Sequence, residues 1–138
     1  MNPLVFDSFA LAVLFEGQPG REIVEAHLVH AVENGYTHLM SAINFGEFYY
    51  ARANEHGFEQ AEFDKEIFES FPIELVVPEL DQIMDAAHYK GGGGISYADC
   101  FAADLAIVRG LPVLTGDQEF KRLQELGLKV EWLPKNRV

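Results

Sequence analysis

Four acidic residues stand where local motifs predict that the chain bends: Asp7, Glu47, Asp99 and Asp117. Asp7 and Asp117 follow short apolar runs, at residues 3–6 and 112–115, that are typical of buried strands. Glu47 and Asp99 lie in the first turns of predicted helices. Carboxylates gathered at one end of a sheet are the ligands that a hard divalent cation prefers. The pattern therefore indicates metal-dependent chemistry, with phosphodiester cleavage as the leading candidate.

Each of these acids, taken singly, also fits an ordinary structural role. Asp7 and Asp117 are typical helix N-caps, and Glu47 fits a solvated position on a helix. Residues 96–99, SYAD, have the spacing of a capping box with Asp in place of the usual Glu. The joint placement at strand ends and helix N-termini favours a shared site. Two carboxylates about 4 Å apart repel each other by roughly 4 kcal/mol at an effective dielectric constant near 20, so such a cluster needs a metal ion or protons.

Strands and helices are predicted to alternate along the chain. Short apolar or β-branched runs predict strands at residues 3–6, 37–40, 73–77, 112–115 and 129–133. Helices are predicted at residues 8–15, 21–34, 42–55, 58–70, 78–90, 97–109 and 117–126. This alternation is typical of an α/β fold with a mainly parallel sheet, in which ligands bind beyond the carboxyl ends of the strands. We expect residues 1–138 to form one domain.

Capping residues set the expected boundaries of these helices. Ser41 and Ser96 are predicted N-caps, and Gly35 and Gly110 are predicted to end the helices that precede them. Pro78 is predicted to occupy the first turn of its helix. The helix at residues 21–34 is predicted to bury a stripe formed by Ile23, Val24, Leu28 and Val32.

Composition restricts the class of protein. The chain has 138 residues, 49% of them hydrophobic, and no apolar run approaches the roughly 20 residues of a membrane helix. The single cysteine, Cys100, precludes an internal disulfide and favours a reducing cytoplasm. The net charge of −12 argues against a broad DNA-binding surface, which would be basic, but is compatible with an enzyme that acts on nucleic acid. It also favours a basic protein partner.

The order of the acidic motifs resembles that of the PIN-domain ribonucleases, in particular the VapC-type toxins of prokaryotic toxin–antitoxin pairs. In that family the first acid ends the first strand, as Asp7 does in VFDSFALAVLF. The glutamate lies early in a helix after a Ser/Thr cap, as Glu47 does in SAINFGEFYY. The third acid opens a helix rich in small residues, as Asp99 does in ISYADCFAADLAIVRGLPV, and the fourth follows a strand in a Thr-x-Asp motif, as Asp117 does in VLTGDQEF. The resemblance spans nearly the whole chain.

The resemblance implies a PIN-like three-layer α/β sandwich with a central, mainly parallel sheet flanked by helices. It implies a cytoplasmic, Mg²⁺- or Mn²⁺-dependent endoribonuclease that is the toxin of a type II toxin–antitoxin pair. Such a toxin forms a homodimer and is inhibited by a cognate antitoxin. Asp7, Asp99 and Asp117 are then expected to hold the metal, with Glu47 binding it directly or through water, and metal-activated water would hydrolyse RNA phosphodiesters.

Other residues are assigned supporting roles. Ser8 and Thr115 match hydroxyl positions that support the site in the family. Asp104 departs from the family pattern, in which small residues or Thr are commoner. It lies five positions after Asp99, about 140° away around the helix axis, so we regard it as a second-tier site residue and favour a solvated or salt-bridged role. Four basic residues are candidate RNA phosphate contacts: Arg52, Lys90, Lys121 and Arg122.

Two further features leave alternatives open. Aromatic residues on more than one face of the predicted helices at 42–55 and 58–70 suggest, besides core packing, a surface for an antitoxin or a second copy of the chain. The acidic pattern also fits a Mg²⁺-dependent phosphotransfer domain or a non-catalytic binding module with the same fold. A phosphotransfer domain, however, normally has an adjacent acid pair after the first strand, whereas Ser8 follows Asp7 here.

Overall fold

The apolar runs predicted as strands pair with one another to form a five-stranded parallel sheet in the computed structural model, which describes residues 1–135. The strands are β1 (Val5–Phe6), β2 (His38–Ser41), β3 (Ile73–Val76), β4 (Val113–Thr115) and β5 (Val130–Trp132). Their order is β3-β2-β1-β4-β5, and each neighbouring pair is parallel. The chain therefore builds outward from β1 in one direction and then in the other, which places a topological switch point between β1 and β4.

Seven helices connect the strands within the described residues. They are α1 (Ser8–Glu16), α2 (Arg21–Asn34), α3 (Ala42–His56), α4 (Phe58–Phe68), α5 (Leu80–Gly91), α6 (Tyr97–Arg109) and α7 (Lys121–Gln124). A 3₁₀ turn at Gln118–Phe120 precedes α7. Within residues 1–135, no helix combines the length and the apolar composition needed to cross a bilayer.

The sheet separates two apolar cores, because successive residues of a strand point to opposite faces. Phe6, Met40 and Leu114 face a core built with α1 to α4, whereas Val5 and Val113 face a core built with α5, α6 and α7. Small buried residues on α6 allow this helix to lie close to the sheet: Cys100, Ala102, Ala103 and Ala106. The predicted three-layer α/β sandwich is confirmed.

The predicted caps form as expected. The Ser41 hydroxyl accepts a hydrogen bond from the Ile43 amide at 3.3 Å, and the Ser96 hydroxyl accepts one from the Asp99 amide at 3.2 Å. Gly35 and Gly110 follow α2 and α6 with φ values of 69° and 67°, the left-handed conformation that glycine adopts at low cost. These local motifs therefore fix where the helices that flank the site begin and end.

Three predictions about the elements are wrong. Pro78 is not in the first turn of α5, because Glu79 is the N-cap and exchanges reciprocal hydrogen bonds with Gln82. The helix predicted at residues 117–126 is instead a 3₁₀ turn followed by the short α7. In α2, Val24 and Leu28 are buried as predicted, whereas Ile23 and Val32 are exposed.

Candidate functional site

The carboxyl ends of β1 and β4 bring two of the predicted acids together. Asp7 directly follows β1, Asp117 comes two residues after β4, and the two strands pair with Phe6 opposite Leu114. Glu47 reaches the same region from the second turn of α3, and Asp99 reaches it from the first turn of α6. The topological switch point thus gathers all four acids, as expected for a ligand site in a parallel sheet.

Asp7 combines a capping role with an unsatisfied carboxylate oxygen. Its Oδ1 accepts a hydrogen bond from the Ala10 amide at 2.9 Å and caps α1. Its Oδ2 is buried and has no hydrogen-bond partner among residues 1–135. Burial, which the charges of Asp117 and Glu47 reinforce, raises the pKa of Asp7 to about 7 despite the opposing effect of the Thr115 hydroxyl and the Ala10 amide. The capping explanation is therefore correct but accounts for only one of the two oxygens.

Asp99 is buried beside two other acids. It is 5% exposed, and burial together with the charges of Asp7 and Asp117 raises its pKa to about 8. Its backbone amide donates to the Ser96 hydroxyl, which is one half of a capping box. The other half differs from the prediction, since the Ser96 amide donates to Oε1 of Glu119 at 2.9 Å rather than to Asp99. The carboxylate of Asp99 therefore does not bond the Ser96 amide, and it lies close to the charges of Asp7 and Asp117.

Glu119 is a site residue that the sequence reasoning missed. Ligand oxygens of Asp99, Asp117 and Glu119 all lie within 4.8 Å of one another. The Glu119 amide also donates to Oδ1 of Asp117 at 2.9 Å, so the 3₁₀ turn holds both acids in one small unit. The sequence signal available for Glu119 is its position two residues after Asp117, because an Asp side chain commonly accepts a hydrogen bond from the backbone amide two residues ahead.

The two predicted supporting hydroxyls contact the acids. Ser8 donates its hydroxyl hydrogen to Oε1 of Glu47 at 2.5 Å, which fixes the Glu47 side chain over the start of α1. The Thr115 hydroxyl accepts a hydrogen bond from the Asp117 amide at 3.0 Å. A cleft of about 430 Å³ opens beside them, and its lining includes Ser8, Glu47, Ser96, Asp99, Asp117 and Glu119.

The basic residues proposed as phosphate contacts are mostly engaged within the protein. Arg52 lines the cleft but is buried, with its Nε 2.6 Å from Oδ2 of Asp64 and its Nη1 3.7 Å from Oε1 of Glu16. Lys121 has an exposed side chain. Of these residues, Lys121 is therefore the best placed to meet a phosphate in solvent.

The other two cations contact backbone oxygens around the glycine run. Lys90 donates to the carbonyl oxygen of Ile95 at 3.0 Å, and Arg122 donates to that of Tyr89 at the same distance. A Cβ atom on Gly92 would lie 1.6 Å from Nη2 of Arg122, so this glycine makes room for the guanidinium group. Gly94 also packs against Arg122, since a Cβ atom there would lie 3.2 Å from Cδ of the arginine.

Asp104 does not join the four acids. It lines a small cavity with Ser41 and Gln82, is 2% exposed, and has no hydrogen-bond partner for either carboxylate oxygen. Burial and the nearby charges of Asp85 and Asp81 raise its pKa to about 7. The solvated or salt-bridged role favoured from sequence is therefore wrong.

The donor set of the cluster fits a hard divalent cation. All the candidate ligands are carboxylates, and one oxygen of Asp7 is buried without a partner. The raised pKa values of Asp7 and Asp99 have the same origin, since negative charges placed close together in a buried site stabilise a bound proton or a bound cation. Mg²⁺ and Mn²⁺ are both ions that a set of carboxylate ligands suits.

A second, mainly apolar groove of about 570 Å³ lies between α1, α2 and the end of α4. Its apolar lining includes Leu14, Phe15, Leu28, Val29, Val32, Ile67 and Phe71. Arg21, Glu25 and Glu33 also line it. Elsewhere on α3 and α4 the side chains of Tyr50, Phe58 and Phe63 are more than half exposed, whereas Phe45, Phe48 and Phe68 fill the core. The aromatic residues are thus divided between core and surface.

Comparisons with known proteins agree on the family and the fold of this chain. The family model described as PIN domain matches residues 4–126. VapBC2 of Rickettsia felis, solved bound to a DNA fragment from its promoter, superposes with a TM-score of 0.74 at 19% identity, covering 96% of this chain and 99% of that chain. DNA-bound VapBC of Salmonella typhimurium gives 0.74 at 20% identity, with 95% and 98% covered. VapC20 of Mycobacterium tuberculosis, described as a sarcin-ricin loop cleaving toxin, gives 0.68 at 14% identity, with 86% and 93% covered. No curated protein matches the sequence.

Proposed function

The chain belongs to the PIN-domain family, and on that premise we propose that it is a Mg²⁺- or Mn²⁺-dependent endoribonuclease, the toxin of a type II toxin–antitoxin pair. The observation that carries the proposal is the convergence of Asp7, Glu47, Asp99 and Asp117 at the switch point between β1 and β4. Two of these acids are almost fully buried with raised pKa values. A purely structural role would not require four carboxylates in one place, because their repulsion destabilises the fold.

The acids have distinct roles in the proposed mechanism. Asp7, Asp99 and Asp117 would hold the metal ion, and a bound ion would lower the pKa of a water molecule and stabilise negative charge on the phosphate. Glu47 would bind the metal directly or through water, and the Ser8 hydroxyl keeps the Glu47 carboxylate in place. Thr115 positions Asp117 through the backbone amide. Glu119 is a fifth acid beside these residues, and its carboxylate lies next to Asp99 and Asp117 and accepts the Ser96 amide.

The proposed substrate is RNA with exposed single-stranded bases, because such bases are the ones that proteins read. The cleft beside the acids is open and has room for part of a nucleotide chain. Lys121 is the leading candidate for a phosphate contact outside the acid cluster, with Lys90, Arg122 and Arg52 acting mainly through the protein contacts described above. VapC20, which is similar in fold, is described as a sarcin-ricin loop cleaving toxin, and this supports a nuclease activity here.

The proposed partners are an antitoxin and a second copy of the chain. Several structures of similar fold are toxin–antitoxin complexes, which supports an antitoxin here. The apolar groove between α1, α2 and α4 offers a surface for an antitoxin segment, and the net charge of −12 favours a basic one. The exposed aromatic side chains of α3 and α4 are candidates for the homodimer contact. Cytoplasmic location is part of the same proposal and agrees with the single, buried Cys100.

RNA cleavage with matched variants tests the proposal. The protein is incubated with total RNA and Mg²⁺ or Mn²⁺, with and without a chelator, in parallel with Asp99→Asn and with Glu125→Gln as the control. Glu125 is an exposed acid outside the cleft lining. We expect metal-dependent cleavage by the wild type and the control and none by Asp99→Asn. Equal cleavage by Asp99→Asn would contradict the site assignment. Absence of carboxylate-dependent Mn²⁺ uptake in calorimetry would favour the non-catalytic binding module.

A further inference from the structure

A relay of three hydrogen bonds connects Asp117 to Asp99 through Glu119. The Glu119 amide donates to Oδ1 of Asp117 at 2.9 Å, and the Glu119 carboxylate accepts from the Ser96 amide at 2.9 Å. The Ser96 hydroxyl then accepts from the Asp99 amide at 3.2 Å. The relay joins the turn after β4 to the first turn of α6, two segments that are separated by more than a dozen residues in sequence.

The capping geometry shows what the relay does for Asp99. In a capping box, the acid at the third helical position bonds back to the N-cap amide, and its carboxylate is occupied by that bond. Asp99 holds this position after Ser96, so it is the residue expected to take the Ser96 amide. Glu119 takes that amide instead. Because a residue from the turn after β4 accepts the Ser96 amide, the Asp99 carboxylate does not have to bond this amide and can lie beside Asp7 and Asp117.

The segment before α6 makes such a restraint necessary. Gly93 and Gly94 have φ values of 73° and 75°, so this connection depends on the most flexible residue type. Three side chains from other parts of the chain then form hydrogen bonds with the backbone of residues 95–98, at the start of α6. Besides Glu119 on Ser96, Lys90 donates to the Ile95 carbonyl at 3.0 Å, and Asn44 of α3 donates to the Ala98 carbonyl at 3.0 Å.

We propose that Glu119 is a positioning residue that replaces Asp99 as the capping-box acid of α6 and thereby keeps the Asp99 carboxylate available to the metal site. This inference rests on the proposed function for its metal readout, but the contact itself is independent of function. Glu119 acts through the Ser96 amide, which any side chain with a correctly placed acceptor oxygen can bind. Gln retains such an oxygen, whereas Ala does not.

The test compares Glu119→Gln and Glu119→Ala with the wild type, with Glu125→Ala as a control on an exposed acid. Hydrogen exchange of the Ser96 amide is measured first, by NMR on metal-free protein. We expect exchange about tenfold faster in Glu119→Ala, the equivalent of one lost hydrogen bond, and near wild-type exchange in Glu119→Gln. Mn²⁺ binding is measured next, by calorimetry. We expect roughly tenfold or greater weakening in Glu119→Ala, as for other groups that orient metal ligands, and a clearly smaller loss in Glu119→Gln, which keeps the contact to Ser96 and removes only the nearby charge.

The outcomes separate the positioning role from the other possibilities. If Glu119→Gln loses as much Mn²⁺ affinity as Glu119→Ala while its Ser96 amide stays protected, Glu119 is itself a ligand and the inference is overturned. Unchanged Ser96 exchange in Glu119→Ala overturns it as well. If the wild type takes up no Mn²⁺, the proposed function is what fails, and the exchange measurement on metal-free protein still decides whether Glu119 holds α6.

Discussion

Replacement of Asp104 by Asn should stabilise the protein, and the gain should depend on pH. Asp104 is 2% exposed on α6, and neither of its carboxylate oxygens has a hydrogen-bond partner. Burial, followed by the charges of Asp85 and Asp81, raises its pKa from 3.8 to about 7. Asn has nearly the same shape and carries no charge at any pH, so it removes the charge that the folded state accommodates poorly.

The sign and the size of the effect follow from proton linkage. Between the two pKa values the folded protein binds more protons at Asp104 than the unfolded chain does, so the stability contributed by this residue falls as the pH rises. A shift of about 3 units corresponds to roughly 4 kcal/mol. Because Asp85 is exposed and water screens this pair, we take about half of that, or about 2 kcal/mol, as the expected gain. The advantage of Asn should be close to zero near pH 4, grow up to pH 7 and stay constant above it.

Urea unfolding of wild type and Asp104→Asn at about pH 4.5, 6 and 8 measures this difference directly. Asp85→Asn should give a smaller gain over the same range, because it removes the neighbouring charge and not the buried one. Asp81 is also exposed, and its charge raises the pKa of Asp104 less than the charge of Asp85 does, so Asp81→Asn should change the stability little. A difference between wild type and Asp104→Asn that does not vary with pH, or a variant less stable than wild type at pH 8, would refute the reasoning.

Three further predictions concern the site and its supports. Asp7→Asn and Asp99→Asn should abolish metal-dependent RNA cleavage, which a gel assay measures. Each change should also raise the thermal midpoint of the metal-free protein, because it removes a buried charge that neighbouring acids repel. Calorimetry measures the midpoint, and a lowered value would count against the burial argument. Mn²⁺ at about 100 times its dissociation constant should stabilise the wild type by about 2.7 kcal/mol in a thermal shift assay, an effect that excess chelator reverses; no shift would argue against a metal site. Gly92→Ala should cost about 1 kcal/mol, because its Cβ would displace the flexible end of the Arg122 side chain and break the hydrogen bond that this guanidinium group donates to the Tyr89 carbonyl. Gly91→Ala, whose Cβ would meet open space, is the matched control in urea unfolding, and equal effects of the two changes would show that Arg122 is not the cause.

Features that depend on neighbouring residues were predictable from the sequence. A Ser or Asp that caps a helix needs only the amides two or three residues ahead, and Ser41, Ser96 and Asp7 all form their predicted bonds. The alternation of strands and helices likewise follows from short apolar runs and amphipathic segments. Because a parallel sheet brings the carboxyl ends of its strands to one edge, the convergence of acids after β1 and β4 also followed from local information.

Features that depend on contacts between distant elements were not predictable. The capping box of α6 is completed by Glu119, which lies 23 residues after Ser96, and the pattern SYAD gives no hint of this. Val32 belongs to an apolar stripe by spacing, yet it lines an open groove because no helix or strand of the described part of the chain covers that side of α2. The angle between Asp104 and Asp99 around the helix axis correctly separates Asp104 from the site. It does not show that Asp104 is buried against α5. In each case tertiary packing decides the outcome.

The hydrogen bonds around the acids explain why the fold tolerates so much negative charge at one point. Asp7 accepts the Ala10 amide, Asp117 accepts the Glu119 amide, and Glu119 accepts the Ser96 amide, so backbone donors at the starts of three turns each stabilise one carboxylate. These bonds do not offset the whole cost of burying several negative charges together. Within residues 1–135, Asp7 keeps a buried oxygen without a partner, and the pKa values of Asp7 and Asp99 remain raised. The remaining unfavourable energy is what a bound cation would relieve. Replacement of Asp7 or Asp99 by Asn should therefore stabilise the metal-free protein while it destroys the activity that we propose.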